Sequence, residues 1–254
     1  MKLHYQIVGS GQPVVILHGL FGSSDNWRGL AKELSNHAQV ITVDLRNHGR
    51  SPHSAEQSYE LMADDLAELI QELKLSSVDL IGHSVGGKVA MTFSQHYPEF
   101  LHKLVVVDIA PRAYTDEHST IFETLLGLDL SLYLSRKELD QELSLSLPNK
   151  AVRQFLLMNL DLTNDKLTWR LNLHALFECY PKLLQSVCNH QQIAIPSYFI
   201  RGGRSNYIGD DDFALINATF PHSEIVTIEE AGHWVHAEAP DIFLTKIIEF
   251  FDYD

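Results

Sequence analysis

Short apolar runs and longer amphipathic stretches alternate along this chain, and the alternation predicts its architecture. Residues 14–17 (VVIL), 40–43 (VITV), 78–81 (VDLI), 104–107 (LVVV), 197–200 (SYFI) and 225–228 (IVTI) are brief, rich in β-branched residues and bounded by turn formers. Continuous runs of this kind suit strands buried on both faces of a parallel sheet. Between them, residues 59–73 place Leu61, Met62, Leu66, Leu69, Ile70 and Leu73 on one helical face, with Asp and Glu opposite. Residues 87–96 and 241–251 also read as helices. Strand–helix alternation predicts an α/β fold, a mostly parallel sheet covered by helices on both faces.

Residues 111–191 break the rhythm. They contain no convincing strand and carry Leu at helical spacings in 121–134, 151–160 and 169–184. A structureless loop of this length is not expected inside a compact domain. The expectation is a core built from residues 1–110 and 192–254, with 111–191 inserted as a helical cap.

In open α/β sheets the chemistry gathers at the carboxyl ends of the strands. After 14–17 comes HGLFG; after 78–81, GHSVGGK; after 104–107, Asp108; after 225–228, EEAGHWVH. GHSVGGK reads two ways. It comes within one residue of a phosphate-binding G-x-x-x-x-G-K-[ST] loop, and it contains the nucleophile elbow G-x-S-x-G. Val89 stands where the phosphate loop needs a hydroxyl for magnesium, and that reading leaves HGLFG and AGHWVH unexplained, so the elbow is preferred. Lys88 is then an early residue of the following helix.

A serine hydroxyl attacks a carbonyl only when a base takes its proton, and histidine does this near neutrality. Ser84 is the expected nucleophile and His233 the expected base. The backbone N–H groups of Leu20 and Val85 are the expected oxyanion donors. Phe21, His83 and Trp234 adjoin these groups in sequence and are expected to contact substrate.

Composition narrows the function further. The 254 residues carry a formal charge of −14 with no basic run longer than two, which disfavours nucleic acid as a partner. No apolar window long enough for a membrane span occurs. The first residues do not read as a signal peptide, and two cysteines suit a reducing compartment; a cytoplasmic location is expected. His233 and His236 form H-x-x-H without an evident third ligand, so no metal or other cofactor is expected. His18 and the DLRNHG turn read as hydrogen-bonding braces, a role open to His83 as well. Trp169, Phe122, Phe155 and Phe177 read as core or acyl-pocket residues.

HGLFGSSDNW, DLRNHGRS, GHSVGGKVAM and AGHWVHAEAP, in this order, resemble the α/β-hydrolase superfamily over about 170 residues. With VVDIAP and FIRGGRSNYI they resemble its YbfF-type esterases. The resemblance implies hydrolysis of carboxylic esters and acyl-CoA thioesters without a cofactor. Many members carry the triad acid in a G-x-x-D pattern after the strand that follows the cap. Here that stretch is Gly202-Gly203-Arg204-Ser205, with serine in the acid's place. The resemblance supports Asp108 as the relocated acid, with Asp210 to Asp212 as alternatives that also read as a helix N-cap. The Leu-rich cap suggests an apolar acyl group. Its eight Lys and Arg against ten acids leave it less acidic than the core and permit a CoA substrate. The same triad would also serve carbon–carbon, amide or perhydrolase chemistry, or a hydrolase-fold receptor with little turnover.

Overall fold

The computed structural model describes residues 1–163, 166–189 and 191–253. Seven strands form one sheet: β1 (Tyr5–Val8), β2 (Pro13–Leu17), β3 (Gln39–Val43), β4 (Val78–His83), β5 (Leu101–Val107), β8 (Ser197–Gly202) and β9 (Ser223–Ile228). A separate hairpin pairs β6 (Leu160–Thr163) with β7 (Lys166–Trp169). The order across the large sheet is β1-β3-β2-β4-β5-β8-β9. Every pair is parallel except β1 with β3. The six predicted strands are all present. β1 escaped notice because it is a half-exposed edge strand, without the apolar run that marks the buried ones.

The helices in this sheet's chain segments are α1 (Arg28–Leu34), α2 (Tyr59–Glu72), α3 (Val85–His96), α8 (Asp212–Thr219), α9 (Val235–Glu238) and α10 (Pro240–Phe251). They divide between two buried clusters, one on each face of the sheet. α2 starts where the Ser58 hydroxyl accepts the Leu61 N–H and buries Met62, Leu66, Leu69 and Ile70. One of its acids is not on the solvent face. Asp65 is buried and holds Arg46 of the DLRNHG turn through two hydrogen bonds, 2.6 and 2.9 Å. The turn after β3 is thus a buried polar turn locked to α2 at the sheet's carboxyl edge.

The described residues of 111–191 contribute no strand to the large sheet. They hold α4 (Ser119–Leu126), α5 (Arg136–Leu143), α6 (Lys150–Leu157), the β6–β7 hairpin and α7 (Leu173–Leu183). The hairpin corrects the expectation of an all-helical segment. LDLT and KLTW alternate with period two, and pairing sets Leu160 against Trp169 and Leu162 against Leu167; cross-strand apolar pairs of this kind stabilise a hairpin. The expected helix over 121–134 ends at Leu126. Gly127 follows, and the Asp129 side chain then starts a separate 3₁₀ turn by accepting the Ser131 N–H.

Candidate active site

β4 runs straight into α3, and the residue at the corner is Ser84. Its backbone sits at φ 52°, ψ −119°, a conformation costly for any residue with a Cβ. The turn is held by the Ser84 N–H donating to the Val107 carbonyl at 3.0 Å. Both flanking glycines are required by contact. A Cβ on Gly82 would lie 2.3 Å from the Gly86 carbonyl oxygen, and one on Gly86 would lie 2.5 Å from that of His18. The HGLFG turn therefore lies against the elbow: a Cβ on Gly19 would stand 3.2 Å from the Ser84 Cβ. Val85 is the first residue of α3, so its N–H has no intrahelical acceptor. Leu20 lines the same cavity as Ser84, and Phe21 is held at φ 59°.

At the end of β5, Asp108 is fully buried and again adopts a positive φ, 49°. Its N–H donates to the Ile200 carbonyl, and its Oδ1 accepts the Gly202 N–H at 3.0 Å. Its Oδ2 accepts the Nδ1–H of His233 at 2.7 Å. The same oxygen accepts the hydroxyl of Ser205, which in turn accepts the Tyr207 N–H. Four donors thus address one carboxylate or its supporting hydroxyl, which fixes the carboxylate plane and leaves it no freedom to leave the imidazole.

His233 stacks on Tyr207 with ring centroids 3.9 Å apart and planes 20° off parallel. Its carbonyl accepts the Nε2–H of His83. Burial holds His83 well below the usual histidine range, with His233 and His236 adding to the effect; a neutral His83 with its proton on Nε2 braces the His233 loop. His18 is neutral for the same reason, burial. Its Nε2 accepts the Leu45 N–H and its Nδ1 donates to the Gly19 carbonyl, so it ties the HGLFG turn to the DLRNHG turn. His236 lies flat on Trp27, centroids 3.9 Å apart, and burial pushes it down to about 3. His233 and His236 thus engage different partners. Among the described residues no three His, Cys, Asp or Glu side chains gather as a metal set.

A cavity of about 230 Å³ opens over these groups, lined by Ser84, His233, Leu20 and Phe21 and, from residues 111–191, by Ile121, Val152 and Leu156. Burying apolar surface is its dominant contribution to any ligand.

The α/β-hydrolase fold family matches residues 12–240. The chain belongs to that family. Esterase YbfF of Escherichia coli is 35% identical over 242 residues, covering 94% of this chain and 92% of that one. The sn-1-specific diacylglycerol lipase ABHD11 of Danio rerio is 38% identical over 250 residues, covering 95% of this chain and 79% of the relative. The solved structure of a marine microorganism esterase superimposes with a TM-score of 0.96 at 41% identity, over 98% of this chain and 99% of that one.

In this α/β-hydrolase, Ser84, His233, Leu20, Phe21, His83 and Trp234 all border one cavity, and Asp108 reaches it through His233. Two of the three alternative acids are engaged elsewhere, and the third, Asp211, is exposed at the start of α8. Asp210 pairs with Arg201 at the surface, and Asp212 pairs with Arg112 and accepts the Gly209 N–H. Of the four aromatic residues singled out in the 111–191 segment, Phe155 borders the cavity and faces Trp234. Phe122 is buried against Phe21, Phe177 is partly exposed, and Trp169 is half-buried against the core.

Four contributors were not read from the sequence. Ser205 stood in plain view as the residue replacing the usual acid, but its service to Asp108 depends on the fold. Tyr207 gave no signal beyond its closeness to Ser205. Asn159 donates to the Phe21 carbonyl at 2.6 Å, bracing the HGLFG turn from the 111–191 segment; no pattern marks it. Lys88 is more than an early helix residue: it is buried, donates to the Gln185 carbonyl and lies 4.9 Å from the Tyr114 ring centre. Burial, with Arg112 nearby, pushes it down to about 7. No helix among the described residues is long and apolar enough to cross a membrane.

Proposed function

We propose that this hydrolase cleaves carboxylic esters through an acyl-enzyme on Ser84, with His233 as base, Asp108 as the orienting acid and 111–191 as a cap. The observation that carries the reading is the 2.7 Å contact between Asp108 Oδ2 and His233 Nδ1, made beside a strained serine elbow that borders the same cavity as the imidazole. Nδ1 is committed as a donor to Asp108, which leaves Nε2 as the basic nitrogen. Ser84 Oγ attacks the acyl carbonyl as its proton passes to His233 Nε2. The carbonyl oxygen, now negative, is stabilised by the N–H groups of Leu20 and Val85. The tetrahedral intermediate collapses, the alcohol leaves with the proton from His233, and Ser84 remains acylated. Water then attacks the acyl carbonyl as His233 takes its proton, and when the second tetrahedral intermediate collapses the bond to Ser84 Oγ breaks, His233 returns that proton to Oγ and the carboxylic acid is released.

The Ile121, Val152 and Leu156 walls suit an aliphatic acyl group, each buried CH₂ contributing about 0.8 kcal/mol. The relatives named for esterase and lipase activity support the reaction class. A fluorophosphonate tests it. The expected adduct maps to Ser84, and Ser84→Ala loses at least about 10³-fold in kcat/KM on p-nitrophenyl butyrate. An adduct elsewhere, or a near-normal Ser84→Ala enzyme, contradicts the assignment.

Acyl-CoA thioesters form a second reading, favoured by one feature. A groove of about 410 Å³ shares Asn26, Phe155, Trp234 and His236 with the cavity and reaches Arg136, which with Lys137 borders the next depression outward. Those cations suit phosphates on a leaving group. If they bind CoA, Arg136→Ala with Lys137→Ala raises KM for palmitoyl-CoA and leaves KM for p-nitrophenyl palmitate unchanged.

A further inference from the structure

His236 is a polar ring in a place that a phenyl ring could fill. Its imidazole lies flat on Trp27 and meets His83 and Phe243 edge to face, and the residue is only 8% exposed. Stacking alone does not call for its nitrogens, and a buried polar atom without a partner is costly. Nδ1 is sealed from solvent and has no hydrogen-bond partner. Nε2 has no protein partner either, but it is not sealed off in the same way. The ring borders both the cavity of about 230 Å³ over Ser84 and the groove of about 410 Å³ that leads outward from it.

That asymmetry decides where the proton sits. A buried N–H without an acceptor is less tolerable than a lone pair without a donor. The sealed Nδ1 therefore carries the lone pair and Nε2 carries the proton, on a ring that burial keeps neutral. Asn26 stands at the same junction. Its Oδ1 accepts the Ser23 N–H at 2.6 Å, and its Nδ2 has only the Met158 thioether, a weak acceptor, at 3.4 Å. Phe155 and Trp234, with ring centroids 5.5 Å apart, border both spaces as well. The carboxylates along the groove are committed elsewhere: Asp25 to Arg28 and Arg50, and Glu238 to the N–H groups of Gly232 and Trp234. The passage from cavity to groove thus combines aromatic walls with two side-chain donors that lack a strong acceptor.

We propose that this junction is a subsite for the alcohol part of the ester, where His236 Nε2–H and Asn26 Nδ2–H donate to hydroxyl oxygens of the leaving group and so favour polyol monoesters over alkyl esters. The inference rests on acyl transfer to Ser84 as read above. With the acyl group against Ile121, Val152 and Leu156, the groove is the way out for the alcohol. A hydroxyl accepting from these donors can still donate its own proton to water in the open groove. An alkyl group in the same place displaces water from both N–H groups and offers them nothing. His236 thereby becomes a specificity-determining residue, with no part in the proton transfers at His233.

The test compares 1-monobutyrin with propyl butyrate, which share the acyl group and a three-carbon alcohol and differ by two hydroxyls. Wild type is expected to favour 1-monobutyrin by at least about fivefold in kcat/KM, the effect of one or two hydrogen bonds. In His236→Phe, which keeps a ring on Trp27, the ratio is expected to fall to about twofold or less. His236→Met, a flexible apolar side chain of similar reach, carries the same expectation and serves if the phenyl ring prevents folding. A wild-type ratio near one overturns the inference, and so does a wild-type ratio retained in either folded variant. Ser84→Ala separates the two levels. If it abolishes turnover of both esters while the wild-type ratio is near one, acyl transfer stands and only the subsite falls. If it turns over both esters at the wild-type rate, the acyl-enzyme reading falls and the subsite with it.

Discussion

Ser205 donates its hydroxyl proton to the Oδ2 of Asp108, the same oxygen that receives the ring N–H of His233. The serine occupies the position where many α/β-hydrolases carry the acid, and here it donates to Asp108, the proposed acid, which stands one strand across the sheet. A carboxylate built at 205 would thus lie close to His233 Nδ1. In Asp108→Ala, turnover is expected to drop by at least about 10³-fold. Adding Ser205→Asp in that background is expected to recover at least about tenfold, measured as kcat/KM on p-nitrophenyl butyrate. No recovery in a folded double variant would mean that position 205 cannot present an acid to this imidazole.

Ser205→Ala alone removes one charge-assisted hydrogen bond to a buried carboxylate and leaves two donors in place. Such bonds contribute about 1.5–3 kcal/mol. The variant is expected to lose roughly tenfold in kcat with little change in KM, because the lost contact holds the base and touches no substrate. A KM-only defect would argue that Ser205 faces the ligand instead.

Much of this arrangement was legible before any coordinates. Buried parallel strands advertise themselves as uninterrupted apolar runs, and the glycines at 82 and 86 mark a turn that tolerates no side chain. Ser84 and His233 then follow from what stands after each run. The pairing of Asp108 with His233 was legible by a different route: the serine at 205 left the usual acid position without a carboxylate, and the resemblance to YbfF-type esterases pointed to Asp108. Partners fixed only by three-dimensional closeness were not legible. Asn159 braces Phe21 across 138 residues of sequence separation, and nothing local predicts it. Asp65 looked like a solvent-facing helix acid because its partner, Arg46, lies in another motif. The β6–β7 hairpin was hidden by the leucines on either side, whose spacing also suits a helix.

Asn159 gives a prediction of its own. Its side-chain N–H holds the carbonyl of Phe21, next to the Leu20 N–H proposed for the oxyanion. Asn159→Ala is expected to slow acylation about tenfold, seen as slower fluorophosphonate labelling in stopped-time assays, because a misplaced oxyanion donor loses most of its contribution. Labelling at the wild-type rate would remove Asn159 from the positioning of that turn.

Acid stability follows from the buried histidines. His48 and His236 are held at about 3 in the folded protein by burial, against about 6.5 for an unfolded histidine. The unfolded chain therefore takes up more protons between these values. Stability is fully present above about pH 6.5 and is lost as pH falls from there towards 3. His236→Phe keeps a ring on Trp27 and removes a buried ring nitrogen that has no hydrogen-bond partner. It is expected to reduce the pH dependence of unfolding free energy below pH 6.5 by up to about 1.4 kcal/mol per pH unit. Urea melts at pH 7.5 and pH 5 measure this directly; equal pH dependence in both proteins would show that His236 is already charged in the native state.

The identity of the acid is the part of the mechanism on which the rest turns, and one paired measurement addresses it. Asp108→Asn and Asp210→Asn are compared by kcat on p-nitrophenyl butyrate, with melting temperatures taken alongside to confirm folding. Asp108→Asn is expected to fall by about 10³- to 10⁴-fold, while Asp210→Asn, which disturbs a surface pair with Arg201, stays within threefold of wild type. A crippled Asp210→Asn enzyme beside an Asp108→Asn enzyme of near-normal kcat would contradict the account.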